Sequence, residues 1–326
     1  MSHRKDTDYL AISARIHAME TRMLTREKMD RMIDARDAAE AMKVLDECGY
    51  TGGSLDEMLA RAREQVFRDM ARSVPDPRLV EVFQIKYDYH NAKAILKAQA
   101  MGQDPSRLLL EGGRYAPAKL LDDWQRESLR DCSPVFRKAM EEAAKVLAEE
   151  SDPQKADLVL DRASCLEMAE LAKTLDSKFL QGYVRLSVDV ANLRGAVRVH
   201  RMGRDADFLR QALLEGGNVS VQAIAAARAE GLHEVFRGGA LSAAAELGAK
   251  LTQAGGGSLT AFERECDNAL TAYLEAARRV PFGEETVIGY LYAKEQEFTA
   301  IRAIFAGRTA GLDGETIRSR LRETYV

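Results

Sequence analysis

The sequence predicts an all-α protein made of three similar helical units. Three observations predict it. Apolar residues recur at helical spacing, prolines stand between the periodic segments, and the chain repeats itself at intervals of roughly 100 residues. Ile12, Ile16, Met19 and Met23 share one helix face, and Leu186, Val190, Leu193 and Val197 repeat that spacing. No strictly alternating run is bounded by hairpin turns, so no sheet is expected.

The elements follow in order. A first helix is expected over residues 9–24. Ser54 and Glu57, just after Gly52-Gly53, form a capping box that opens the next long helix, which runs towards Pro75. Asp76-Pro77, Ser133-Pro134 and Asp152-Pro153 each read as an N-cap followed by proline at the first helical position. Pro105, Pro117 and Pro281 separate further segments, because a proline inside a helix costs about 3 kcal/mol. Long helices are expected over residues 84–101, 184–202 and 288–306. Gly102, Gly203 and Gly307 stand where they should stop, as left-handed C-terminal caps.

The repeat is explicit. Residues 86–104 read KYDYHNAKAILKAQAMGQD and residues 187–205 read SVDVANLRGAVRVHRMGRD. Asp88, Asn91, Lys97, Met101, Gly102 and Asp104 match Asp189, Asn192, Arg198, Met202, Gly203 and Asp205 at a constant offset. Both copies continue into Glu-Gly-Gly, at Glu111-Gly112-Gly113 and Glu215-Gly216-Gly217. A weaker third copy spans residues 293–308, with Arg302 and Gly307 in the places of Arg198 and Gly203, and residues 9–24 resemble a fourth without the terminal glycine. This sets expected repeats at residues 1–104, 105–205 and 206–326. The spacing is too long for tetratricopeptide or HEAT units and suits three domains around a pseudo-threefold axis.

Motifs for chemistry are absent. The net charge of −4 and a pI near 5.9 argue against a bulk nucleic-acid binder, which needs excess cations to displace counterions. No apolar run reaches the ~18–20 residues of a membrane span, and the N-terminus lacks an apolar signal segment, so the chain reads as cytoplasmic. There is no GxxxxGK[ST] loop. Gly248-Ala249-Lys250 comes nearest, and Gly255-Gly256-Gly257 reads as a turn. His3, His17, His90, His200 and His233 show no metal-ligand spacing, and Cys48, Cys132, Cys165 and Cys266 read as reduced, small apolar groups. No catalytic residue, cofactor or metal is therefore expected. Asp88 and Asp189, each with an asparagine three residues on, read as helix-packing hydrogen-bond partners or a solvated stripe. Cations are more suggestive. Lys86, Lys93 and Lys97 lie on one repeated helix, Arg185, Arg194, Arg198, Arg201 and Arg204 on the next, and Arg302 and Arg308 on the last. Lys97, Arg198 and Arg302, with Lys93 and Arg194, are the candidate partner-binding residues, facing an acidic partner unless they are ordinary solvated faces.

As a whole the chain resembles the C subunits of the V-type/A-type ATP synthases, relatives of the d subunit of the eukaryotic vacuolar proton pump. The resemblance rests on YLAISARIHAMETRML at residues 9–24, Gly49-Tyr50, KYDYHNAKAILKA at residues 86–98 and KFLQGYVRLSVDVANLRGAVR at residues 178–198. It is most specific over residues 281–326, with Lys294-Glu295, Glu297, Ile301-Arg302 and terminal Tyr325-Val326. It implies a funnel-shaped, non-catalytic rotor component of the central stalk, without cofactors. Such a component would sit on the membrane proteolipid (c/K) ring, receive the D and F shaft subunits, and carry torque for coupled ATP synthesis or hydrolysis and hydrogen-ion or other ion transport. Its implied place is peripheral, on the cytoplasmic face of the membrane. The alternative is an α-solenoid-like helical adaptor without a rotary role, which would show shorter repeats stacked in line.

Overall fold

The computed structural model describes residues 5–253 and 257–325; His3, Gly255, Gly256 and Val326 lie outside them. Among the described residues there are sixteen α-helices and no strand, as the periodicity predicts. The chain divides into two compact units. The first comprises residues up to Asp76, His200–Gly203 and everything from Ala227 onward; the second comprises Pro77–Val199 and Arg204–Ala226.

The first unit begins with α1 (Leu10–Glu20), α2 (Arg26–Asp34), α3 (Ala38–Glu47) and α4 (Leu55–Ser73). The second holds α5 (Arg78–Ala100), α6 (Pro117–Gln125), α7 (Pro134–Glu150), α8 (Pro153–Thr174), nearly all of α9 (Lys178–Arg201), α10 (Ala206–Ala212) and α11 (Val221–Ala226). The first unit is completed by α12 (Leu232–Val235), α13 (Ser242–Leu251), α14 (Thr260–Glu275), α15 (Glu284–Thr309) and α16 (Gly314–Arg320).

In the first unit α15 runs through the middle. Helices α1, α2, α4, α14 and α16 all lie against it, and it is buried on nearly every side from Thr286 to Phe298. A helix covered all round needs no polar stripe, so its apolar residues follow no single face. Leu24, Met32, Leu45, Leu59, Ile301, Ile304 and Ile317 form the core beside it. In the second unit α5, α7 and α8 pack together over Ile85, Tyr89, Leu96, Leu120, Phe136 and Leu160. The Tyr89 and Phe136 rings meet edge to face at 5.1 Å.

The caps explain the helix boundaries. Ser54 and Glu57 bond reciprocally. The Ser133 hydroxyl accepts from Phe136 N at 3.1 Å, and Asp152 accepts from Gln154 N and Lys155 N. At Pro77 the expectation shifts by one residue. Helix α5 starts at Arg78, because Val80 N donates to Pro77 O three residues back, a tightened first turn. The first helix is also shorter than expected. It stops at Glu20, and the following turn frees Leu24 N for a side-chain partner on α15.

Gly102 and Gly203 end α5 and α9 with φ of +64° and +63°, as expected of caps. Gly307 does not. It lies inside α15, where a Cβ would stand 2.8 Å from Cγ1 of Ile317. Close packing of α16 requires that glycine, and the left-handed residue is Gly311, at φ +70°.

Candidate partner-binding surface

The repeated helices α5 and α9 carry one device twice. Asn91 Nδ2 donates to Leu110 O at 2.9 Å while its Oδ1 accepts from Leu110 N at 2.8 Å. Asn192 makes the same pair of bonds with Leu214, both at 2.8 Å. One helical turn earlier, Asp88 accepts from Tyr115 N at 3.3 Å and Asp189 accepts from Val219 N at 3.1 Å. Gln84 and Arg185, at matching positions, bond the same loops. The Asp-x-x-Asn face thus clamps the returning Leu-Glu-Gly-Gly loop. The second glycine of each loop explains itself. A Cβ on Gly113 would lie 2.3 Å from Asp88 Oδ1, and one on Gly217 would lie 2.2 Å from Asp189 Oδ1. The acids therefore bind the Glu-Gly-Gly loop downstream of their own helix, and neither is a solvated stripe.

The two clamps differ in charge. In the first, Arg114 Nε donates to Asp88 at 2.6 Å, and its two terminal nitrogens fork onto Glu167 of α8 at 2.8 and 3.0 Å. Tyr89 OH also donates to Glu167, at 3.0 Å. Burial pushes the Asp88 carboxyl up to about 6, against the pull of Arg114. Glu167 is buried too, yet Arg114 holds it below the usual carboxylate range. The opposite shifts follow from geometry: Asp88 is the more deeply buried and receives a single guanidinium bond, while Glu167 receives the two-pronged fork and the tyrosine. In the second clamp Asn218 stands in Arg114's place and donates to Asp189 through Nδ2 at 2.8 Å and its own N at 3.1 Å.

Helix α15 solves a related problem with one carboxylate. Glu297 Oε2 accepts from Leu24 N at 2.7 Å, and its other oxygen accepts from Tyr50 OH and Lys294. Lys294 Nζ donates to Tyr50 OH at 2.8 Å and lies over the Tyr50 ring at 4.9 Å. Burial and the neighbouring Glu297 push the Tyr50 hydroxyl well above its ordinary pKa.

The candidate cations lie on the same three helices. Lys93 and Lys97 emerge from α5 towards α8 and pair with Asp161 and Asp157, each at 2.6 Å. Arg194 is half-buried and Arg198 exposed on α9. Arg302 is half-buried on α15, with a terminal nitrogen 3.7 Å from Asp56 Oδ1. Thus Lys93 and Lys97 share one unit and one acidic neighbour helix, and Arg302 belongs to the other unit. Several remaining cations have internal tasks. Arg308 donates to the carbonyls of Ile33 and Ala35 at the end of α2, Arg201 to Gly257 O, and Arg204 lies over the Phe208 ring.

Sequence reasoning missed Arg114 and Glu167, and it named Tyr50 only within Gly49-Tyr50, without a role. Arg114 could have been found, since it directly follows the repeated Glu-Gly-Gly at the position of Asn218. Nothing local marks Glu167, which reaches the clamp from 53 residues away. Among the described residues, no group of three or more His, Cys, Asp or Glu could hold a metal ion, and no helix is long and apolar enough to cross a membrane.

Comparison with known proteins bears on the whole chain. The family model described as "ATP synthase (C/AC39) subunit" matches residues 12–320. The C subunit of the V-type sodium ATPase of Enterococcus hirae is 20% identical, over 98% of this chain and 99% of its own length. The C subunit of the V-type ATP synthase of Thermus thermophilus is 26% identical, over 93% of this chain and 94% of its own. The C subunit of the A-type ATP synthase of Thermococcus gammatolerans is 23% identical, over 98% and 91%.

Proposed function

The chain belongs to the ATP synthase (C/AC39) subunit family, and from that premise we propose that it is the central-stalk rotor subunit of a V/A-type rotary ATPase. It is a component of that complex and not its catalytic subunit. In this reading it joins the D and F shaft subunits to the membrane proteolipid ring on the cytoplasmic face and carries torque between them. The observation that carries the reading is the end-to-end match: relatives named as C subunits cover nearly the full chain and are themselves nearly fully covered. Torque needs an element that does not yield. Buried clamps that tie loops to long helices at three places, Asn91, Asn192 and Glu297, supply such stiffness.

We further propose the three-repeat organisation over residues 1–104, 105–205 and 206–326. Lys97, Arg198 and Arg302, with Lys93 and Arg194, contact acidic shaft residues in this proposal. For Lys93 and Lys97, docking would exchange an internal carboxylate for a partner's, so their contribution to orientation and association rate should exceed their contribution to affinity.

The test is purification of the tagged full chain from its own membranes. Shaft and proteolipid subunits should accompany it at fixed stoichiometry, and recovery of the chain alone would overturn the reading. In the same preparation, charge reversal of Lys97, Arg198 and Arg302 to Glu should uncouple ATP hydrolysis from ion movement. Normal coupling with all three reversed would remove the cation proposal and leave the family assignment intact.

A further inference from the structure

The chain has twelve methionines and four cysteines, and the fold treats their sulfur atoms very unequally. Met23, Met29, Met32, Met58, Met70 and Met140 are buried, and Met19, Met42 and Met168 are half-buried. Among the described residues only Met101 and Met202 stand open, at 61% and 56% exposure. They occupy matching positions of the internal repeat. Each follows the last turn of a long helix and precedes a left-handed glycine, Gly102 or Gly203, that turns the backbone away. The cap that stops the helix therefore also presents a thioether to solvent, in both copies.

The cysteines do not compete. Cys132 and Cys266 are buried and Cys48 and Cys165 half-buried. Burial pushes the Cys132 and Cys165 thiols up to about 11 and raises Cys48 as well, which leaves those groups as weakly reactive thiols at neutral pH.

We propose that Met101 and Met202 are a pair of reversible modification sites, each taking one oxygen atom from a hydroperoxide while the other sulfur atoms of the described residues stay reduced. The thioether sulfur attacks the peroxide, the O–O bond breaks, and sulfur loses two electrons as the S=O bond forms. The peroxide is reduced to water or an alcohol, so no further co-reactant is needed. Neither side chain fills a core, so the helices persist after oxidation. What changes is the surface: two apolar knobs at helix ends become polar acceptors. Because both sulfoxides remain exposed, a methionine sulfoxide reductase can reach and reverse them.

The test treats the full chain with hydrogen peroxide and follows each sulfur by peptide mass mapping, with far-ultraviolet circular dichroism alongside. Met101 and Met202 should reach half oxidation while every other sulfur from Met19 to Cys266 stays below about one tenth. The helical signal should be unchanged, and methionine sulfoxide reductases with a thiol reductant should restore the original mass. A double Met101→Leu, Met202→Leu variant should take up its first oxygen between Met19 and Cys266 roughly tenfold more slowly. Oxidation of Met19, Met42, Met168 or any cysteine at a comparable rate, loss of helix as oxygen is added, or an unchanged rate in the double variant would each overturn the proposal.

Discussion

The clamps on α5 and α9 solve one geometric problem with different chemistry. Both fix a Leu-Glu-Gly-Gly loop through an asparagine that bonds both sides of a leucine peptide, and both press a glycine against an aspartate. The first then adds Arg114 and Glu167 and so fastens the loop to a third element, α8. The second has Asn218 closing the site on Asp189, with Arg185 of the same helix donating to the asparagine's Oδ1. The asparagine and glycine are what the loop requires. The ion network is an addition that ties the loop to a neighbouring helix, at the cost of burying three charges.

The largest expected difference comes from breaking that addition. Arg114→Met leaves Asp88 and Glu167 buried without their cation and should destabilise the chain by about 3–5 kcal/mol in urea unfolding. Asn218→Ala, its counterpart, should cost only about 1–2 kcal/mol. Equal costs would mean that the charges add nothing to the shared clamp.

Acidity offers the next contrast. Asp88 binds its proton more tightly in the folded chain, at about 6, than an ordinary carboxylate near 4. Between those values the folded state holds the extra proton, so this group's contribution makes stability fall as pH rises from about 4 to about 6, by roughly 2–3 kcal/mol. Glu167, shifted downward, acts oppositely: its contribution is lost as pH falls through its folded value. Asp88→Asn should remove the decline between pH 4 and 6, as seen by thermal melts across that range. A slope unchanged by the substitution would assign it to other groups.

The shared part should respond alike in both copies. Gly113→Ala and Gly217→Ala each force a methyl onto a carboxylate oxygen, and each should cost about 1–3 kcal/mol. A twofold disparity would show that one loop yields more easily than its twin. The smallest effect is at the caps. Gly102→Ala and Gly203→Ala should each cost about 1 kcal/mol, because each demands a left-handed alanine with open space around it.

Much of this was legible in the sequence, though not the bonds themselves. The helical period gave α5, α9 and α15, and the constant offset revealed Asp88 with Asn91, Asp189 with Asn192, and both Glu-Gly-Gly triplets as repeated signals. Spacing could not show that each acid meets its own loop, because the contact forms only when the chain turns back 26 to 30 residues later. Gly307 was misread for a related reason. A glycine near a helix end looks the same whether it turns the backbone or admits a neighbour, and only the position of Ile317 decides. The partners of Lys93 and Lys97 were equally hidden, since α8 supplies them from 68 and 60 residues away.

The bond from Leu24 to Glu297 also has a consequence during synthesis. It joins residues 273 apart, and Arg318 of α16 reaches back 288 and 284 residues to Asp30 and Asp34. A ribosome adding ~5–20 residues per second needs roughly 15–55 s to cover that distance. Meanwhile Met29, Met32 and Leu45 wait without the α15 and α16 side chains that cover them in the finished protein. The second unit, almost continuous in sequence, can close as it emerges. Until α15 and α16 are made, the core faces of α2 and α3 lack Phe298, Ile301, Ile304 and Ile317, the side chains that complete their cluster.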